Sequence, residues 1–292
     1  MHAMQPPPKP WPTGRVERIE PLVARVLAPN PSPYTFTGTQ TYLVGAAGAL
    51  AVIDPGPDEP AHLDALMDAI GEAQVVAICC THTHRDHSPA AAPLKAATGA
   101  PIVGCAALAM ETDGPRADAP FDFAYAPDRV LADGESLTGP DWTLTAVATP
   151  GHVSNHLCFA LEESGALFTG DHVMGWSTSV VIPPDGDMGD YMASLARLQS
   201  REDRVYYPAH GPAVEKPRQL VRGMIGHRRQ REMQILRLLG ERPRPAAGLV
   251  PDMYKGLDPR LIPAAEASVT AHLLDLERRG EVARTGGEWT LA

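Results

Sequence analysis

Residues 75–80, Val-Val-Ala-Ile-Cys-Cys, form an unbroken apolar strand pattern that runs straight into Thr81-His82-Thr83-His84-Arg85-Asp86-His87. Three imidazoles and a carboxylate therefore fall within six residues at a strand end. Packing demands no such concentration of polar rings, whereas imidazole and carboxylate are donors that suit Zn²⁺ without any thiolate. In a strand-like turn His82 and His84 project to the same side, while Asp86 and His87 reach a neighbouring position, so one loop supplies half of two metal sites. Beyond the loop, Ser88 is placed to cap a helix and Pro89 to occupy its first position.

The donors still missing have candidates at later strand ends: His152 in Ala-Thr-Pro-Gly-His, Asp171 in Phe-Thr-Gly-Asp and His210 in Tyr-Pro-Ala-His-Gly. His156 and His172 adjoin these motifs and are expected to support ligands, with His172 facing away from Asp171. His62, His227 and His272 fall in helical patterns and are expected to be solvated on helix surfaces.

Short β-branched runs punctuated by Gly, Pro and Asp occupy 22–28, 41–44, 49–53, 75–80, 101–104, 142–148, 156–161, 166–169 and 205–208. Helical patterns near 60–72, 89–98 and 190–200 separate them, which gives an α/β or α+β class with two packed sheets flanked by helices. From Pro217 the pattern changes to a long helix through about Leu239 and then a Pro-rich break. A helix from about Ile262 to Arg279 and two short strands around Thr285-Gly286-Gly287 complete a winged-helix-like outline.

Taken in order, the motifs THTHRDH, TPGH, TGD and PAHG, with Val-Ile-Asp-Pro-Gly at 52–56 ahead of them, resemble the metallo-β-lactamase superfamily across about residues 41–213. The resemblance implies an αββα sandwich and two Zn²⁺ per chain. His82, His84 and His152 would hold one ion and Asp86, His87 and His210 the other. Asp171 would bridge them, because a shared anion lowers the repulsion of two adjacent dications. Asp54 would stand behind the ligands as an acceptor that orients an imidazole. The implied chemistry is hydrolysis by a metal-bridged hydroxide, with Asp86 orienting the nucleophile or taking its proton. Persulfide dioxygenases, which use a single iron, are similar in motif, but the complete Asp86-His87-His210 set argues for two metals.

The segment from Gly170 to Leu198, with YPAHGPAV and HRRQREMQIL after it, resembles the lactamase-beta-2-like group, whose members carry a C-terminal winged-helix-like domain. The expected organisation is a disordered arm over 1–14, a catalytic domain over 15–216 and the helical domain over 217–292. The resemblance implies single-strand RNA cleavage as an activity in or near the group, while thioester cleavage belongs to the more distant glyoxalase II group. Ser88-Pro89 and Val153-Ser154-Asn155-His156 depart from the frequent family pattern and bear on the mouth of the pocket.

Charge separates these options. Up to residue 216 there are 26 acidic and 12 basic side chains, and beyond it 9 and 13. A body at −14 disfavours a polyanion away from the metals, so a small ester or thioester is expected ahead of RNA. The alternatives are a single-strand endoribonuclease that uses Arg228, Arg229 and Arg231, and a non-catalytic nucleic-acid-binding or regulatory protein; against both stands a solvated, salt-bridged helix face. Cys79, Cys80, Cys105 and Cys158 lie in apolar stretches and are expected as buried free thiols. No membrane span and no export signal is visible in the sequence, so a cytoplasmic protein is expected.

Overall fold

A strand that is apolar on both faces belongs inside a sheet covered on both sides. The computed structural model, which describes residues 11–46, 48–110 and 120–292, bears this out for β5 (Gln74–Cys80), buried from Ala77 onward. A seven-stranded sheet runs in the order β1 (Val16–Glu20), β2 (Val23–Leu27), β3 (Gln40–Val44), β4 (Ala49–Ile53), β5, β6 (Ile102–Gly104), β7 (Arg129–Val130). Its first strands pair antiparallel, whereas β4, β5, β6 and β7 are parallel, with α1 (Pro60–Ile70) and α2 (Ala91–Thr98) as crossovers. The second sheet has the order β12 (Val205–Pro208), β11 (Ala166–Gly170), β10 (Leu157–Leu161), β9 (Thr143–Ala148), β8 (Ser136–Thr138), and β11 and β12 are parallel.

Strand alternation sorts the second sheet between two cores. Leu144, Phe159 and Phe168 face the first sheet and meet Val44 and Ile78, while Val147, Cys158 and Leu167 face α3 (Met188–Ser200) and α4 (Pro217–Glu241). The result is the αββα sandwich. Helix α4 is shared: Val221 and Met224 belong to this second core, and Ile235, Leu238 and Leu239 to a third. That third core also takes α5 (Ala246–Met253), α6 (Ile262–Arg278) and the hairpin β13 (Val282–Thr285) and β14 (Glu288–Leu291). Among the described residues, no helix is long and apolar enough to cross a membrane.

Several expectations need correction. Strands β1, β7 and β8 escape the sequence pattern because they are short or exposed and are held by pairing rather than burial. Helix α5 lies inside the Pro-rich break, where Leu249, Val250 and Met253 bury one face despite Pro251. Ser88 caps nothing: α2 begins at Ala91, and the Ser88 hydroxyl donates to Asp122 instead. Of the expected arm, residues 1–10 lie outside the described ones, while Trp11 packs edge-on against Phe36 beneath the Arg25 guanidinium. All four cysteines are free and buried.

His62 and His272 are buried rather than solvated, and His227 is half-buried. The reason is helical spacing: His62 shares a stripe with Leu66 and Ile70, and His272 with Val269 and Leu276. Burial pushes the His62 imidazole down to about 4, and burial followed by the nearby Arg228 pushes His272 down to about 3. Both are thus neutral in the folded protein, and the unfolded chain takes up their protons first. Their contribution is complete above the unfolded value near 6.5 and is lost as pH falls through about 4 and about 3, at up to about 1.4 kcal/mol per pH unit for each group. Denaturant titrations between pH 7 and 4 should therefore show acid destabilisation, and His272→Leu should flatten it.

Candidate metal centre

The parallel pairs β4–β5 and β11–β12 carry Asp54, the 82–87 loop, Asp171 and His210 at their ends, and His152 joins them from the turn after β9. After β4 the chain turns at Asp54, whose φ of 48° is unusual for a residue with a side chain and fits a constrained functional position. Its carboxylate accepts the Thr81 N–H and the Thr81 hydroxyl, each at 2.8 Å, and lies 3.0 Å from His87 Nδ1. With its proton given to Asp54, the Thr81 oxygen is free to accept from His82 Nδ1 at 3.0 Å.

The same logic holds at the other strand ends. His152 Nδ1 donates to the Val180 carbonyl at 2.6 Å, and His210 Nδ1 to the Gly38 carbonyl at 3.2 Å. For His82, His87, His152 and His210 the outer nitrogen is engaged as a donor, so whenever the ring is neutral the inner Nε2 carries a lone pair. His84 instead turns Nδ1 inward, 3.0 Å from His82 Nε2 and 3.2 Å from His152 Nε2, with its ring stacked on Phe121. His84 Nδ1 thus meets two imidazole nitrogens at once, and a single proton on it can serve only one of those contacts. A cation between them removes the repulsion.

Two groups result, His82, His84, His152 and Asp171 in one and Asp86, His87 and His210 in the other, with the donor atoms of each group within 4.8 Å of one another. Asp171 faces both: Oδ2 lies 3.8 Å from His152 Nε2, while Oδ1 lies 3.2 Å from His210 Nε2 and 3.6 Å from His87 Nε2. Asp86 Oδ2 stands 3.4 Å from His87 Nε2 and 3.2 Å from His210 Nε2. Asp86 Oδ1, His87 Nε2 and Asp171 Oδ1 are buried and make no hydrogen bond. Such orphaned atoms fit a bound dication.

Electrostatics point the same way. Burial opposes ionisation of Asp171 and Asp86, yet the His210 and His87 rings hold both carboxyls well below the usual carboxylate range. Burial also opposes protonation of His210, but Asp171 and Asp86 raise it to about 10. His82, buried among His87 and His84, is pushed well down. The carboxylates draw in positive charge, and without metal only imidazolium protons supply it.

His156 supports a ligand as expected: its Nε2 accepts the Asp171 backbone N–H at 3.2 Å while Nδ1 engages Thr149 at 2.9 Å, so this ring sets the position of Asp171. His172 packs its ring on Tyr191. Segment 177–181 forms a strap in which the Ser179 hydroxyl donates to the Asp171 and His172 carbonyls and the Val180 carbonyl holds His152. Beside the donors opens a cavity of about 780 Å³, walled by the stacked Phe36 and Trp176 rings and by Tyr254, Leu257 and Leu261 of the C-terminal module.

Strand ends of two packed sheets that converge on paired His/Asp groups define a metallo-β-lactamase-type hydrolase. The chain belongs to the metallo-beta-lactamase superfamily: that family's model matches residues 34–210, and the beta-lactamase associated winged helix domain matches residues 246–289. A beta-lactamase-like protein 2 homolog from Drosophila melanogaster is 33% identical over 91% of each chain. An atrochrysone carboxyl ACP thioesterase from Cryptosporiopsis is 32% identical over 78% of this chain and 66% of its own length. A metallo-beta-lactamase family protein from Thermus thermophilus, 25% identical, superposes with a TM-score of 0.74 over 94% of this chain and all of its own.

Gly170 precedes Asp171 at φ +48°, and a Cβ there would stand 2.7 Å from both His156 Nε2 and Thr81 Oγ1. Gly170→Ala should therefore cost about 3 kcal/mol of stability, from overpacking and backbone strain together. Chemical denaturation of the variant beside the parent protein measures it.

Proposed function

We propose that this protein is a binuclear zinc hydrolase acting on a small ester or thioester in the cavity beside the His/Asp cluster. The observation that carries this is the two-faced position of Asp171, with one oxygen toward each donor group. His82, His84 and His152 would hold one ion, Asp86, His87 and His210 the other, and Asp171 would serve both. The N and O donors, with no thiolate among them, suit zinc. When bound, two such ions supply Lewis acidity and make water acidic enough to attack at neutral pH.

The chain's own groups do the rest. Asp54 holds His87, and His156 holds the Asp171 backbone. The Thr39 hydroxyl lies 3.4 Å from Asp86 Oδ2 and steadies this carboxylate, which would orient the attacking water and take its proton. Phe36 and Trp176 offer an apolar seat for the acyl or leaving group.

Thioesterase relatives and the acidic catalytic body both favour a compact substrate over RNA. So does helix α4, because Arg228, Arg229 and Arg231 do not share an exposed face. Arg228 is buried, Arg229 is exposed, and Arg231 donates to the Met253 carbonyl and lies over the Tyr254 ring. Free, buried thiols fit a reducing compartment, the cytoplasm.

Metal analysis of zinc-reconstituted protein should give two ions per chain. Asp171→Ala should weaken both positions, His210→Ala chiefly one, and Asp54→Asn should lower affinity by about 10–100-fold through loss of ligand orientation. A single ion in the parent protein, or iron retained in preference to zinc, would count against the assignment.

Turnover is tested on thioesters, esters and single-stranded RNA. Thioester or ester hydrolysis should change little with salt and fall by about 10²–10⁴-fold in Asp86→Ala. Cleavage of RNA alone, declining steeply as salt releases phosphate contacts, would replace this substrate class with the nuclease one.

A further inference from the structure

The apolar stripe of α4 carries a residue that hydrolysis at the metal cluster does not require. Arg228 sits in line with Val221, Met224, Ile225 and Ile235, is only 4% exposed, and lines the cavity. Its Nη1 donates to the Ser268 hydroxyl of α6 at 3.3 Å and its Nη2 to the Ser179 carbonyl, while Nε has no hydrogen-bond partner. Among the described residues no carboxylate pairs with it. Around the guanidinium stand Tyr191, its ring 5.1 Å away, and the imidazoles of His172, His227 and His272, which burial above all keeps neutral with help from the Arg228 charge.

A buried cation with no anion is costly, and pinning one carbonyl needs only a neutral donor. The charge therefore calls for an anion from solution, and the unspent N–H groups of a guanidinium match a carboxylate. The location narrows the choice. Ser179, whose carbonyl Arg228 holds, also bonds Asp171 through its hydroxyl, and the next carbonyl, Val180, bonds His152. With Cα atoms 3.8 Å apart, the guanidinium and the ligand imidazole are separated by at most about 10 Å, within the reach of a short acyl chain.

We infer that Arg228 and the Ser268 hydroxyl form a carboxylate subsite, so that the preferred substrates are half-thioesters or half-esters of short dicarboxylic acids. This rests on the hydrolase assignment above: the scissile carbonyl lies at the His/Asp cluster while the distal carboxylate meets Arg228. The C-terminal module thereby sets specificity through α4 and α6.

The test uses the zinc-loaded full chain and two N-acetylcysteamine thioesters of equal chain length, glutaryl and pentanoyl. The parent protein should prefer the glutaryl thioester, and Arg228→Met should reduce that preference, as a ratio of kcat/KM values, by about 100-fold, chiefly through KM. Arg228→Lys, which keeps the charge without the fork, should fall between. Ser268→Ala leaves the Arg228 bond to Ser179 in place and should raise the glutaryl KM several-fold, which keeps the proposal falsifiable if Arg228→Met does not fold. Equal losses on both thioesters would make Arg228 a brace for the strap and overturn the subsite. Calorimetry with glutarate separates the two levels of inference. Binding weakened by Arg228→Met or Ser268→Ala upholds the subsite even if neither thioester is hydrolysed, a result that would sink the substrate class proposed above. No binding, or binding indifferent to both variants, removes the subsite.

Discussion

Everything in this fold serves the convergence of seven imidazole and carboxylate donors in a space nearly closed to water. Buried polar atoms are tolerated only when paired. The outward-facing atoms of the cluster meet that requirement with Asp54, Thr81, the Val180 carbonyl and the Gly38 carbonyl. The inward atoms do not, and three imidazole nitrogens press together at 3.0 and 3.2 Å. A site built this way is finished only by positive charge. The two sheets are what make the crowding affordable, since parallel neighbours end together and each carries a donor-bearing turn.

The parts of this site that sequence exposes are those encoded in contiguous residues. His82, His84, Asp86 and His87 share one loop, and His152, Asp171 and His210 each follow an apolar strand. Chain order alone could not tell that Asp171 faces both groups or that His156 holds its backbone, because these depend on how strand ends from different sheets meet. Short edge strands were invisible for a related reason: β7 and β8 bury almost nothing and are defined by their partners.

The misjudged histidines and Arg228 teach a different lesson. Polar identity suggested solvent, yet position on the helix decided otherwise. His62 with Leu66 and Ile70, His272 with Val269 and Leu276, and Arg228 with Met224 and Ile225 each follow the three-or-four spacing of a buried stripe. The pattern was present in the sequence. Periodicity outranks residue type when a helix is packed on both sides, and a charged side chain on such a stripe then needs an explanation of its own.

Helix α4 is where the two modules become one device. Its first turns pack on the catalytic sheet and its last turns on the winged-helix core, and through Arg228 it is tied to the strap that holds His152. Arg278 adds a second brace, reaching from α6 to Asp187 at the start of α3 at 2.8 Å. The net charge of the body therefore bears on a polyanion spread over the exterior and not on a single anionic group inside the cavity. Long-range repulsion from a −14 surface is screened within about 10 Å at 0.1 M salt, whereas a guanidinium inside the cavity acts at contact and away from water. A small molecule with one anionic end can satisfy that local cation without presenting the charge density of a nucleic acid to the acidic exterior.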